Sequence, residues 1–346
     1  MAKYTLSEGN YQYLCIILGF NLFKMIKLKK TTQNELNRVQ ATIKKELTDE
    51  KIIQEIYEYI FQKEGKKTRA LLCLLSSKSQ NIKPKTRINL ASIIELLHTA
   101  TLVHDDVVDE SELRRGEKSV NQVWTNSYSV LMGDFIYSKA FILMVNLGLP
   151  SILDELAKAT NDIAKGEIIQ LDLFEKNKMI ELQDLLKVSY LKTGRLFEAA
   201  AKTGAILSNK TKSEIKRFGL LGKFLGTAFQ IRDDILDYES FILDIGKPLM
   251  KDFKEGKITF PLYFAFKNAK PKDQKFIMKQ LGAKKISQKD LKYIYDLIKN
   301  DKAQLEVNAL LENYIKESFK QLNYLKDNGC YNELVELINF SKIRKI

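Results

Sequence analysis

Cysteine and proline are scarce in this chain of 346 residues, and each scarcity bears on the structures open to it. The three cysteines, Cys15, Cys73 and Cys330, are odd in number and far apart. They offer neither a metal-ligand spacing nor a disulfide framework, which fits a reducing, cytoplasmic setting. The five prolines, Pro84, Pro150, Pro248, Pro261 and Pro271, fall where helices are expected to end, so long helices can run between them. Strand-like alternation is rare. Apolar residues instead recur at three- and four-residue spacing, clearly from Ile152 to Ile169 and from Leu305 to Leu325. The expected fold is all-α, with about a dozen helices.

An acidic excess is missing too. Lys+Arg number 56 against 43 Asp+Glu, a net charge of +13. That balance suits an anionic ligand or an anionic membrane surface. No nucleic-acid motif and no basic stripe interleaved with aromatics is present, so nucleic acid is not an expected partner. The one conspicuous apolar run, Tyr11 to Ile26, is broken by Asn21 and Lys24 and is short for a membrane span. It lacks the basic start and cleavage site of a signal peptide. A surface anchor, or a true start at Met25, are the readings left. Residues 1–32 are therefore read as an extension outside the catalytic core. No linker or large repeat divides residues 33–346, and the chain, 45% hydrophobic overall, can build one large helical domain.

What the chain does contain is the same acidic pattern twice. Asp105-Asp106-Val107-Val108-Asp109 and Asp233-Asp234-Ile235-Leu236-Asp237 are both DDxxD sets with apolar fill. On a helix the first and last carboxylates of each set lie one turn apart on a shared face. A run of acids is usually a solvated face. Here the preceding residues, Leu96 to His104 and Gly226 to Ile231, are mostly apolar or small, as in buried helices. Carboxylates gathered on buried helices repel unless a cation sits among them. Hard oxygen donors of this kind suit Mg²⁺, which takes few carboxylates and completes its shell with water and phosphate oxygens. Two acidic walls holding a metal-bound diphosphate is the expectation.

The remaining chemistry clusters around these motifs. The only two histidines, His98 and His104, precede Asp105 closely, and each reads equally well as structural or functional. Arg114-Arg115-Gly116 follows the first motif; paired guanidiniums clamp phosphate oxygens bidentately, although the same triplet is also a common helix end. Gly65-Lys66-Lys67-Thr68-Arg69 is a second basic element. Lys192-Thr193-Gly194 and Gly256-Lys257 add cations between helices, and Gly246-Lys247-Pro248 with Asp252 extends the second acidic region.

Taken together these residues resemble the trans-prenyltransferases, the polyprenyl diphosphate synthases, from about residue 60 to 265 and weakly beyond. The resemblance rests on Asp105, Asp106 and Asp109 with Arg114 and Arg115, and on Phe229 and Gln230 with Asp233, Asp234 and Asp237. Gly133-Asp134, Gly166-Glu167 with Gln170-Leu171-Asp172, and Lys192-Thr193-Gly194 also match. The family's Gly-Gly-Lys-Arg-x-Arg-Pro element looks like Glu64 to Ala70, with Lys66 and Arg69 kept and the first Gly, the first Arg and the Pro replaced. Arg232 departs from the family, standing where relatives usually carry a neutral residue.

The resemblance implies an isoprenoid-synthase helical bundle around a central apolar cavity, and head-to-tail condensation of isopentenyl diphosphate with an allylic diphosphate. It implies Mg²⁺, about three ions per site, held by the six aspartates. Lys192, Thr193 and Gln230 take catalytic positions, facing the leaving diphosphate and the allylic cation. Lys66, Arg69, His98, Arg114, Arg115, Lys247 and Lys257 bind the substrates. It further implies a cytoplasmic homodimer, with peripheral membrane contact for product release.

Upstream of Asp105, Ala100 and Thr101 are small where short-chain members carry aromatics, and Leu96 to Gly116 is similar to long-chain, octaprenyl-type synthases supplying quinone side chains. Helix angles favour Thr101 as the more inward of the two and the resemblance favours Ala100. Phe141, Met144 and Leu156 are candidates for the floor of the product tunnel. The rival readings are a short-chain farnesyl or geranylgeranyl synthase, a class I terpene cyclase, which would lack the second DDxxD, and a non-catalytic partner subunit, which would tend to lose the aspartates.

Overall fold

Three of the prolines open helices in this chain, and the core follows from what lies between them. The computed structural model describes residues 26–47, 50–62, 65–114, 116–175, 179–239, 250–283, 285–325 and 329–344. Four helices come first: α1 (Lys30–Leu47), α2 (Lys51–Phe61), α3 (Thr68–Ser76) and α4 (Pro84–Val108). A two-residue hairpin follows, β1 (Leu113–Arg114) and β2 (Glu117–Lys118). Then come α5 (Val120–Val123), α6 (Asn126–Leu147), α7 (Pro150–Glu175) and α8 (Leu182–Ser189). A π-helical turn, Tyr190–Gly194, runs directly into α9 (Arg195–Leu207), which is followed by α10 (Lys212–Glu239). The last third holds α11 (Lys251–Lys254), α12 (Phe260–Asn268), α13 (Pro271–Gln280), α14 (Gln288–Ile298), α15 (Asp301–Asn323) and α16 (Tyr331–Ile343). The fold is all-α, as the spacing of apolar residues predicts. Among the described residues the hairpin is the only sheet, and Arg114 belongs to it rather than to a helix end.

α4 and α10 carry the two acidic motifs and form the centre. Leu90, Ile93, Ile94, Leu96, Leu97 and Ala100 on α4 are fully buried, as are Phe218, Leu221, Ala228 and Ile231 on α10. A helix apolar on most of its circumference must be enclosed. α4 is enclosed by α1, α3 and α6, and α10 by α9, α15 and the π-turn. Glycine permits the second approach: a Cβ at Gly226 would lie 2.8 Å from the Cα of Gly194, and one at Gly222 would lie 2.4 Å from the carbonyl oxygen of Phe197.

α6 begins where the Thr125 hydroxyl accepts from the amide of Tyr128 and ends at Gly148, whose φ of +69° closes the helix. By length and composition it could cross a membrane. Its apolar residues divide between two faces. Met132, Ile136, Ala140 and Met144 are buried, whereas Leu131, Ile142 and Val145 are exposed.

Candidate active site

The two acidic motifs occupy the C-terminal ends of α4 and α10, and the structure separates their six carboxylates by environment. Asp106 is buried, and Arg114 donates to it from Nε at 2.7 Å. Asp234 is buried with both oxygens occupied: Gln230 Nε2 donates at 2.7 Å, and the backbone amide of Phe260, opening α12, donates at 3.1 Å. The others face the space between the helices. Asp109 accepts from Lys257 at 2.6 Å, and Asp233 is paired with Arg344. Asp237 accepts from the amide of Asp252 at 3.3 Å.

Electrostatics marks where negative charge is uncompensated. Burial, then the neighbouring carboxylate of Glu167, raises Asp105 to about 7. Burial and Asp252 raise Asp237 to about 7 as well. Burial, with Asp252 beside it, pushes Asp234 well above the usual carboxylate range. Opposing this, Lys257 is held above the ordinary lysine range: burial alone would lower it, but Asp109, Asp252 and Glu255 outweigh that. Among the described residues no three acidic, cysteine or histidine side chains gather closely enough to cage a metal by themselves. The donor set fits a hard divalent ion that takes one or two carboxylates from a wall and the rest of its shell from phosphate.

The cations arrive from separate elements. The π-turn brings Lys192 and Thr193 to the site; insertions of this kind often mark functional positions. Lys192 pairs with Glu167 at 2.6 Å and donates to Gln170, both on α7. Gly166 lets α7 come so close, since a Cβ there would meet Leu191 at 2.8 Å. Thr193 donates to Gln230 Oε1 at 2.7 Å, and Gln230 passes the chain on to Asp234. Lys257, beyond α11, bridges Asp109 and Glu255, while Lys251 reaches Ser111 at 3.2 Å. The segment 250–257 therefore ties the second motif's side to the first.

The basic element before α3 forms the third side. Lys67, with φ of +45°, turns the chain into the helix. Lys66 lies 5.4 Å over the Phe340 ring of α16. Arg69 meets His98 Nε2 at 3.1 Å and stacks 4.5 Å over Phe197; burial lowers its pKa to about 10. A cavity opens beside these groups, with His98, Leu102, Asp106 and Arg114 in its wall. His104 behaves differently. Its ring fills the notch left by Gly133, where a Cβ would lie 2.2 Å away, and pairs with Asp134 at 3.3 Å. It sets α6 against α4.

Sequence reasoning placed Lys66, Arg69, His98, Arg114, Lys192, Thr193, Gln230, Lys257 and the aspartates in one site; the structure joins Arg69 to His98, Arg114 to Asp106, Lys257 to Asp109, and Thr193 through Gln230 to Asp234, while Lys66 contacts the Phe340 ring. Arg115 and Lys247 lie outside the described residues. Arg344 was missed. It is buried, stacks 3.5 Å over Phe229, donates to the Phe229 carbonyl at 3.1 Å and pairs with Asp233. The only signal in the chain was a basic residue near its end, which no motif distinguishes. Arg232 is placed as well: it makes a two-pronged pair with Glu239 at 3.0 and 3.1 Å and donates to the Arg344 carbonyl.

Comparison with known proteins follows the same lines. A family model described as Polyprenyl synthetase matches residues 50–298. An octaprenyl diphosphate synthase of Escherichia coli is 39% identical over 258 residues, covering 72% of this chain and 78% of the relative. An octaprenyl diphosphate synthase of Haemophilus influenzae is 34% identical over 326 residues, covering 90% and 99%. Among solved structures, a polyprenyl synthase from Caulobacter crescentus, complexed with calcium and isoprenyl diphosphate, superposes with a TM-score of 0.85 at 30% identity, covering 92% of this chain and 97% of that one.

Proposed function

The chain belongs to the polyprenyl synthetase family and is a long-chain trans-prenyltransferase; from that premise we propose that it condenses isopentenyl diphosphate with an allylic diphosphate to all-trans octaprenyl diphosphate for quinone side chains. The observation that carries the condensation chemistry is the pair of acidic helix ends with cations seated on their carboxylates, Arg114 on Asp106, Lys257 on Asp109 and Arg344 on Asp233.

The roles follow from what each group can hold. Mg²⁺, about three ions, would be held by Asp105, Asp109 and Asp233 with the allylic diphosphate, and supplies Lewis-acid stabilisation of the leaving group. The buried Asp106 and Asp234 orient the walls, one through Arg114 and the other through Gln230 and the start of α12. Lys192 and Lys257 exchange their carboxylate partners for phosphate oxygens, and with Arg114, which stays anchored on Asp106, they place positive charge where the allylic C–O bond ionises. The oxygens of Thr193 and Gln230 face the allylic cation. Lys66, Arg69, His98 and Arg115 hold isopentenyl diphosphate with its alkene over that cation, and Lys247 joins the second wall. The alkene carbon attacks, a carbon–carbon bond forms, and the proton lost from the new cation leaves on the departing diphosphate. No protein base is needed.

The exposed face of α6 supports a homodimer: Leu131, Ile142 and Val145 make an apolar strip that a second copy would cover. We read residues 33–346 as the synthase domain and the enzyme as cytoplasmic, with peripheral membrane contact at product release. Mass analysis of products made by the purified protein from farnesyl diphosphate, isopentenyl diphosphate and Mg²⁺ tests the proposal. An eight-unit product is expected; a product of farnesyl or geranylgeranyl length would overturn the chain-length assignment, and no product would overturn the substrates. Asp233→Ala should abolish turnover with helicity retained.

A further inference from the structure

Arg344 is held in the site more elaborately than a chance ion pair requires. The residue is only 4% exposed and its Nε has no hydrogen-bond partner in the structure. Its guanidinium carbon lies 3.5 Å from the centre of the Phe229 ring, and the group pairs with Asp233. Its backbone carbonyl accepts two hydrogen bonds from Arg232, from Nε at 3.2 Å and Nη2 at 3.1 Å. Arg232 is in turn fixed by Glu239. Phe229, Arg232, Asp233 and Glu239 all belong to α10, so one helix both displays the carboxylate and clamps a cation onto it. The Asp233 side chain is still 48% exposed, which leaves it open to a competing cation from solvent.

We propose that Arg344 is a displaceable counter-ion of the second acidic wall: the Arg232–Glu239 clamp seats it on Asp233 in the metal-free protein, and a divalent cation takes Asp233 only as Arg344 leaves. The inference rests on the metal role proposed above for Asp233. The physical reason is competition for one carboxylate. Each cation that occupies Asp233 lowers the apparent affinity of the other, and the coupling is reciprocal. Arg344 differs from Arg114 and Lys257, which also sit on carboxylates, because it approaches from beyond the last described helix. Its departure would free the end of α16 without disturbing either wall. The clamp also gives Arg232, the residue that departs from the family pattern, a specific task. It is a positioning residue that acts through Arg344.

The test uses the full chain without substrate and Mn²⁺ as the probe, with binding followed by electron paramagnetic resonance. Arg344→Gln should tighten Mn²⁺ binding roughly 1.5- to 5-fold, the range expected when a half-exposed ion pair stops competing. In an Asp233→Asn background the same substitution should have no effect. Arg232→Gln should shift affinity in the same direction by a smaller factor, and it carries the test if the Arg344 variant fails to fold by circular dichroism. As a second readout, amide hydrogen exchange over 331–344 should accelerate in the wild type when Mn²⁺ is added, and not in Asp233→Asn. Unchanged or weaker Mn²⁺ binding in both arginine variants, with Asp233→Asn weakened, would overturn the counter-ion role alone. Mn²⁺ binding untouched by Asp233→Asn would instead remove the metal role on which it rests.

Discussion

At the scale of single residues, the site without metal is balanced by exchange partners. Lys257 holds Asp109, a carboxylate that the bound state would hand to metal, and becomes available for phosphate at the same moment, while Lys192 and Arg114 sit on Glu167 and Asp106, which the metal does not claim. Asp105 is only partly relieved by Lys192 and Arg114, and its shift has a consequence for stability. Its carboxyl is raised from 3.8 in a model compound to about 7 in the fold. The folded protein therefore keeps the proton longer than the unfolded chain does. This contribution to stability is full below about pH 4 and is lost as pH rises through about 7. The metal-free wild type should accordingly lose melting temperature between pH 4.5 and 7.5 relative to Asp105→Asn, on the order of a few degrees. Parallel melting curves for the two proteins across that range would show the shift to be absent. For the basic residues, Lys66→Ala should raise KM for isopentenyl diphosphate and Arg114→Ala should act on the allylic substrate. Each removes charge-assisted bonds worth about 1.5–3 kcal/mol. Steady-state kinetics with each substrate varied in turn checks the assignment, and the reverse pattern would sink it.

At the scale of the elements, the proposed path of the product tail runs along α4. Ala100 is fully buried, while Thr101 is half-buried with its hydroxyl turned back onto the His98 carbonyl at 2.8 Å. Thr101 lies about 6 Å and Ala100 about 7.5 Å along the helix before Asp105, at about 1.5 Å per residue. A phenylalanine at either position should shorten the product toward geranylgeranyl or farnesyl length. The two differ in side effect. Ala100→Phe puts a ring into a filled core and should cost about 1–3 kcal/mol of stability, whereas Thr101→Phe should be tolerated. Product mass and thermal melting, measured on both variants, separate the effects. Wild-type product length from both would mean that the tail does not pass this turn.

For the whole molecule, two expectations follow from what the surface presents. Leu131, at 66% exposure, lies on the apolar strip of α6. Leu131→Glu should convert a dimer to a monomer, as read by analytical ultracentrifugation, because burying an unpaired carboxylate in an interface is costly. A chain beginning at Met25 should remain folded and active. The described structure beginning at Ile26 already ties into the core, with the amide of Lys29 donating to Glu333 at 3.0 Å. Loss of turnover in that shorter chain, with helicity intact, would give residues 1–24 a part in the site or the dimer.

How much of this was legible in the chain depends on whether the signal was local. The helical class, the two acidic walls and the basic elements Lys66 to Arg69 and Arg114 could be read directly, because periodicity and fixed spacing are properties of a few consecutive residues. The π-turn that presents Lys192 and Thr193 left no such mark; it lies where α7 at Gly166 and α10 at Gly226 both press against it. The roles of Asp106 and Asp234 within otherwise identical motifs were likewise invisible, since only packing decides which carboxylate of a pair faces the core. His104 was ambiguous in the chain and resolves as a packing residue once Gly133 is opposite it. Arg344 lies more than one hundred residues from the aspartate it neutralises, and Arg232 is explained only by that contact. Sequence alone determined which chemical groups are available. Tertiary structure decided which of them meet, because long-range pairing of charges is set by how helices enclose one another.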